Sequence, residues 1–241
     1  MFLGTATLPA GSRIYAVGDV HGRLDCLERL FTDIQNDIQA RPVSSSKIVM
    51  LGDYVDRGPN SRGVLEFLIA QSSNPDVICL RGNHDDRLLE FSGAPDEFSE
   101  GFLRYGGWET LASYGVTTSF FRRNVANLSR SLAKKMPDSH KEFLSKLPMF
   151  HEEGDYFFCH AGVRPGIALH NQEKHDLMWI RGEFLDYEGS FGKVVVHGHT
   201  PGIQVEVMSN RINLDTMAFE TGRLSCAILE GASYNFMQTG L

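Results

Sequence analysis

Five times along this 241-residue chain, a short apolar run ends at a segment that sets Asp, Asn or His beside glycine. The segments are Gly18-Asp19-Val20-His21-Gly22, Gly52-Asp53-Tyr54-Val55-Asp56-Arg57-Gly58, Gly82-Asn83-His84-Asp85, Cys159-His160-Ala161-Gly162 and Gly198-His199-Thr200-Pro201. The runs before them, such as Arg13-Ile14-Tyr15-Ala16-Val17 and Lys47-Ile48-Val49-Met50-Leu51, read as buried strands. Between the first runs, Leu24, Leu27, Leu30, Phe31, Ile34 and Ile38 recur at helical spacing to about Gln39, and Val64, Leu65, Leu68 and Ile69 mark a second helix. Arg41-Pro42 and the serines Ser44 to Ser46 read as a loop. Alternating strand, loop and helix is the pattern of a largely parallel sheet, in which ligands gather beyond the carboxyl ends of the strands. The repeated motif therefore predicts one polar rim.

From about Asp86 to Met149 the apolar residues, Leu88 to Leu147 and including Phe98, change to mostly helical intervals, broken at Gly93-Ala94-Pro95, Gly106-Gly107 and Pro137. This predicts a helical cap beside the rim, whose edge shapes the substrate groove. Strands return at Tyr156–Cys159, Lys193–His197, Gln204–Val207, Arg211–Leu214 and Leu224–Leu229, with turns at Ser209-Asn210 and Thr221-Gly222. The order suits an α/β fold of two mixed β-sheets packed face to face and flanked by helices. Nothing divides the chain, so residues 1–241 read as a single domain with the cap, about 86–149, inside it.

Composition narrows the function. An apolar fraction of 42% supplies a substantial core, and a net charge of −7 argues against a nucleic-acid partner, which wants a basic stripe. It leaves phosphorylated substrates open, since cations and a few arginines neutralise phosphate locally. Cys26, Cys79, Cys159 and Cys226 are scattered without CxxC spacing, which reads as free thiols in a reducing, cytoplasmic setting. Residues Met1 to Ser12 show no secretory signal, and no run is long enough to span a bilayer.

Each motif alone has a plain structural alternative. Gly-Asp after a strand often caps the next helix, Asp56 and Arg57 could pair in a turn, and His160 or His199 could be satisfied strand-end histidines. The joint occurrence favours chemistry, because the six oxygen and nitrogen donors Asp19, His21, Asp53, Asn83, His160 and His199 suit two divalent metals on one rim. Two such metals can polarise phosphate oxygens and acidify a water for in-line attack on phosphorus.

In order and composition these five motifs resemble the calcineurin-like metallophosphoesterases, and within them most closely the PPP family of serine/threonine protein phosphatases in its compact bacterial and phage form. The resemblance runs from Asp19 to His199. It implies that Asp19, His21 and Asp53 hold a first metal, and that Asp53 bridges to a second held by Asn83, His160 and His199. It also implies His84 as general acid with Asp56 orienting its ring, and Arg57 and Arg181 as phosphate ligands. His197, two residues before His199 and on the same face by strand alternation, is read as a neighbour. The donor set suits Mn, Fe or Zn, and activity with added Mn2+ is expected.

The implied reaction is hydrolysis of phosphoserine or phosphothreonine esters, with phosphotyrosine as a further monoester, by direct attack of hydroxide held between the metals. No Cys-x5-Arg loop offers a covalent alternative. One position departs from the protein-phosphatase pattern: Asp85 follows His84 where those enzymes usually carry Glu. Gly-Asn-His-Asp is typical of the bacterial symmetrical diadenosine tetraphosphatases, which in turn commonly lack a counterpart of Asp56. Dinucleoside polyphosphate hydrolysis is therefore the alternative. A metal-binding scaffold without catalysis ranks below both, because His84, Asp56 and all six ligands are present.

Overall fold

The structure is a computed structural model that describes residues 1–93, 99–117 and 124–240. Its first half alternates as the sequence predicts: β1 (Ser12–Val17), α1 (Leu24–Ala40), β2 (Ser45–Met50), α2 (Ser61–Gln71), β3 (Val77–Cys79) and α3 (Asn83–Gly93). The cap continues through α4 (Ser99–Phe102), a π turn at Leu103–Gly107, α5 (Trp108–Ser113), α6 (Val125–Lys135) and α7 (Asp138–Lys146). The expected helical position Phe98 and the break at Ala94-Pro95 lie outside the described residues. The second half holds β4 (Phe150–Glu153), β5 (Tyr156–Cys159), α8 (Lys174–Trp179), α9 (Gly182–Leu185), β6 (Val194–His197), β7 (Glu206–Val207), β8 (Arg211–Asn213), α10 (Ala218–Thr221), β9 (Ser225–Glu230) and β10 (Ser233–Gln238).

Two mixed sheets result, ordered β10-β9-β1-β2-β3 and β4-β5-β6-β8-β7. In the first, β1, β2 and β3 are parallel while β9 and β10 return antiparallel; in the second, β5, β6 and β8 are parallel. Alternation along each strand sorts its side chains between layers. Ile14, Ala16, Val49 and Leu51 meet Tyr156, Phe158, Val194 and Val196 between the sheets. Tyr15, Val17, Ile48 and Met50 face the helices of the first half and the cap. Phe157, Cys159 and Val195 face α8 and α9 through Leu177, Ile180 and Phe184. Because both faces of β1 and β6 are covered, their sequences are nearly unbroken apolar runs.

Three details differ from the sequence reading. Ser45 and Ser46 belong to β2, since they pair with Ser12 and Arg13 at its half-exposed start. Phe150–Glu153 is a strand that pairs with β5, although its polar residues His151, Glu152 and Glu153 mask it. Ser233–Gln238 forms the outer strand β10, hidden in the sequence by its mostly exposed composition. All four cysteines are buried and unbridged.

Candidate metal centre

The motif residues meet where the parallel strands end. Asp19 follows β1, Asp53 follows β2, Asn83 opens α3, His160 directly follows β5, and His199 follows β6. Asp53 sits in the middle. Its Oδ2 lies 3.3 Å from His160 Nε2, 3.6 Å from His21 Nε2 and 4.0 Å from His84 Nε2, while its Oδ1 accepts the His84 backbone N–H at 3.0 Å. Asn83 Oδ1 lies 2.8 Å from His160 Nε2 and 2.9 Å from His199 Nδ1. All six predicted ligands are at most 6% exposed.

This convergence is held under strain. Outside glycine, positive φ occurs at His21, Asp53, Asp56, Arg57, His199 and Met217, so all but one of these positions are predicted site residues. Such backbone costs about 1–3 kcal/mol per residue and persists where the surroundings over-determine it. The flanking glycines serve close approach. A Cβ on Gly198 would stand 1.9 Å from Asp19 Oδ1, and one on Gly82 would stand 2.2 Å from both Asp53 N and Oδ1. That is why five of the six predicted ligands have glycine directly beside them, His160 being the exception.

The donor set fits divalent metals. His21 Nδ1 donates to Val55 O at 2.8 Å and His160 Nδ1 to Leu51 O at 3.0 Å, which turns both Nε2 atoms toward Asp53. Burial opposes charge on His160, yet the Asp53 carboxylate outweighs it and holds that imidazole up to about 9. Burial, reinforced by His160, pushes His199 down to about 2; burial and His84 push His21 well below its usual range. Burial alone would raise Asp53, but His160 and His84 hold it well down. Burial and neighbouring Asp215 drive Asp19 up, a shift that a nearby cation would counter. Two donor groups, His21–Asp53–His84 and Asp53–His160–His199, each gather within 4.8 Å and share Asp53. Asp19 belongs to neither, His84 standing in the first group where Asp19 was expected; the Asp19 carboxylate accepts the His199 N–H at 3.1 and 3.3 Å.

His84 carries a second arrangement. Its Nδ1 lies 2.7 Å from Asp56 Oδ2 and its Nε2 lies 3.2 Å from Arg57 Nη2, an arrangement that turns Nε2 toward the cleft. Asp56 is held in turn by the Thr110 hydroxyl at 2.6 Å, and its backbone N–H is shared between Thr110 Oγ1 and Ser61 Oγ. The sequence alternative of an Asp56–Arg57 pair is not the arrangement adopted. The Arg57 guanidinium instead lies 4.9 Å over the Phe219 ring, facing the cleft. Across from it, Arg181 joins α8 to α9 and donates to His199 Nε2 at 3.2 Å and His199 O at 3.1 Å. A cavity of about 330 Å3 is lined by Asp53, Asn83, His84, Arg57, Arg181 and His199, with Tyr105 and Trp179 at its edge.

Two sequence readings change. Asp85, taken as a substrate marker, is 1% exposed and points away from the cleft. Its carboxylate accepts three backbone N–H groups, from Asp53, Tyr54 and Gly82, at 2.9 to 3.0 Å, and so clamps the β2 loop to the start of α3. His197 does not share a face with His199, because β6 ends at His197 and His199 turns with φ +63°. The His197 ring packs 4.9 Å from Phe184 in the α8–α9 layer, where burial and Arg211 push it down to about 3. Sequence reasoning missed Asp215, 1% exposed, whose Oδ1 accepts the Met217 N–H and whose Oδ2 has no partner among the described residues. It also follows a strand, β8, and lacked only the adjacent glycine. Thr110, Tyr105, Trp179 and Phe219 carried no sequence signal beyond apolar or helical patterning.

A family model described as calcineurin-like phosphoesterase matches residues 12–223. Among curated proteins, the asymmetrical bis(5'-nucleosyl)-tetraphosphatase PrpE of Oceanobacillus iheyensis is 24% identical over 223 residues, covering 85% of this chain and 83% of the relative. Its counterpart in Anoxybacillus flavithermus is 26% identical over 234 residues, 87% of each chain. A crystal structure described as that of a candidate diadenosine tetraphosphatase superposes with a TM-score of 0.65 at 22% identity, covering 98% of this chain and all (100%) of the other. A cold-active protein-tyrosine phosphatase of a Shewanella species gives 0.58 at 17% identity over 96% and 83%. At these identities the superpositions speak for the fold.

Proposed function

The chain belongs to the calcineurin-like phosphoesterase family, and from that membership we propose that it is a dinuclear-metal hydrolase of dinucleoside polyphosphates such as diadenosine tetraphosphate. The observation that carries the hydrolase reading is the pair of donor groups sharing Asp53, one of which includes His84, in a cleft that also presents Arg57 and Arg181. The nucleotide part rests on the relatives named bis(5'-nucleosyl)-tetraphosphatases, which match nearly the whole chain. Their printed specificity is asymmetrical, which differs from the symmetrical type that the Gly-Asn-His-Asp motif suggested.

Asp19, His21 and Asp53 would hold one ion, and Asp53, Asn83, His160 and His199 the other. When bound, two such ions supply Lewis acidity toward phosphate oxygens and an acidified water. The chain's own residues do the rest. Arg57 and Arg181, on opposite walls, can each fork onto phosphate oxygens once they leave their present histidine partners. Asp56 keeps the Nδ1 proton in place, so that a His84 ring carrying a second proton on Nε2, once Arg57 has turned from that atom to the phosphate, would give that proton to the leaving oxygen and return to the neutral form. The strained loop carrying Asp53, Asp56 and Arg57 keeps these atoms in register.

A second reading, hydrolysis of phosphoserine or phosphothreonine esters, is favoured by the Asp56–His84 pair itself. A serine alkoxide is a poor leaving group that demands a proton, whereas a nucleotide phosphate leaves readily without one. Metal-loaded protein given diadenosine tetraphosphate and a phosphoserine peptide side by side separates the two. Preference for the dinucleotide supports the proposal, and preference for the peptide replaces it. We read Mn2+ as the activating ion in vitro and the cytoplasm as the location, the latter on four buried, unbridged thiols. No described helix is long and apolar enough to cross a membrane.

A further inference from the structure

We propose that Tyr105, Arg87 and Trp179 form a nucleobase platform at the mouth of the cleft. The inference deepens the proposed function and rests on its premise that a phosphate is held at the metal centre. Three elements build it. Arg87 lies on α3, one turn after Asn83 and His84; Tyr105 sits in the π turn; Trp179 ends α8 just before Arg181. The Arg87 guanidinium carbon is 4.3 Å from the Trp179 ring centroid and 5.1 Å from that of Tyr105, so one cation joins two aromatic faces. Both rings line the same cavity as the phosphate arginines.

The arrangement is not explained by packing. Tyr105 is 45% exposed, although it is a large aromatic. The π turn that presents it breaks helical geometry at Tyr105 (φ −102°, ψ 20°) and Gly106 (φ +107°). This turn is tied directly to the catalytic loop: the Arg57 N–H donates to Gly106 O at 3.0 Å, and a Cβ on Gly106 would stand 2.7 Å from Arg57 N. The position of Tyr105 is therefore set by the phosphate-binding loop, as π turns at functional sites often are. Among the described residues the buried Nη1 of Arg87 has no hydrogen-bond partner. Stacking is what it does. Trp179 also lines a second cavity, of about 590 Å3, together with Arg87. A flat purine can lie on such a surface; a serine side chain has nothing to place there.

The test compares two monoesters that differ only in the base. AMP and ribose 5-phosphate are titrated calorimetrically into Mn2+-loaded wild-type protein, Tyr105→Ala, Tyr105→Phe and Arg87→Met. Stacking of one base is expected to make AMP bind about tenfold more tightly than ribose 5-phosphate to wild type. Tyr105→Ala removes most of that ratio, Tyr105→Phe restores it, and Arg87→Met reduces it. The platform is overturned if wild type binds the two ligands alike, or if Tyr105→Ala weakens both equally. A protein that shows the expected ratios yet fails to cleave diadenosine tetraphosphate keeps the platform and loses the proposed reaction.

Discussion

His84 is bonded at both ring nitrogens, to Asp56 on one side and Arg57 on the other, and this sets its predicted role. His84→Asn is expected to lower kcat by about 10²–10⁴-fold on a phosphoserine ester while metal content, measured by plasma mass spectrometry, falls far less than in Asp53→Asn, since only Asp53 is shared by both donor groups. On diadenosine tetraphosphate the loss is smaller, because the leaving phosphate needs less protonation. Equal losses on both substrates would remove His84 from the acid role. Asp53→Asn acts differently: it weakens the charge shared by both donor groups, so bound metal itself falls. Asp85 was legible as a motif letter but not as a structural clamp, since sequence does not reveal which way a carboxylate at a helix start points. Because it holds three backbone N–H groups, Asp85→Glu should lower the melting temperature without changing the ratio of dinucleotide to phosphopeptide hydrolysis. A switch in that ratio would return Asp85 to a specificity role.

Elements were legible where one rule dominated. The parallel strands β1, β5, β6 and the second half of β2 are covered on both faces, so burial writes them as apolar runs. β4 and β10 obey pairing more than burial and are spelled with polar residues. The π turn is set by contact with Arg57, a distant partner that local spacing cannot reveal. Gly106→Ala is expected to destabilise the fold by about 1–3 kcal/mol in denaturant melts, from positive φ and the clash with Arg57 together. α8 is fastened by Asp176, whose carboxylate accepts two bonds from Arg164 and is held below its usual range by that guanidinium. A depressed carboxylate contributes stability above its unfolded pKa, about 3.9, and loses it as pH falls through the lower folded value. Asp176→Asn therefore lowers the melting temperature at pH 7, and the gap to wild type narrows below about pH 3.9. A gap independent of pH would rule out the ion pair as its cause.

At the scale of the molecule, two sheets pack so that strands from both bring the predicted ligands to one rim. The rim was readable because the same strand-end motif recurs; its occupant was less so, because the rings that shape the mouth come from the cap and α8, which carry no motif. The buried carboxylates Asp19, Asp53, Asp85 and Asp215 crowd one site, and burial, reinforced by their mutual repulsion, raises Asp19, Asp85 and Asp215. Metal binding relieves this, so chelation is expected to lower the melting temperature and Mn2+ to restore it. The most direct test of the account is the ratio of kcat/KM for diadenosine tetraphosphate to that for a phosphoserine peptide, measured on one preparation carrying two metals per chain. The account predicts a ratio well above ten; a ratio below one, or turnover that persists after both metals are removed, would contradict it.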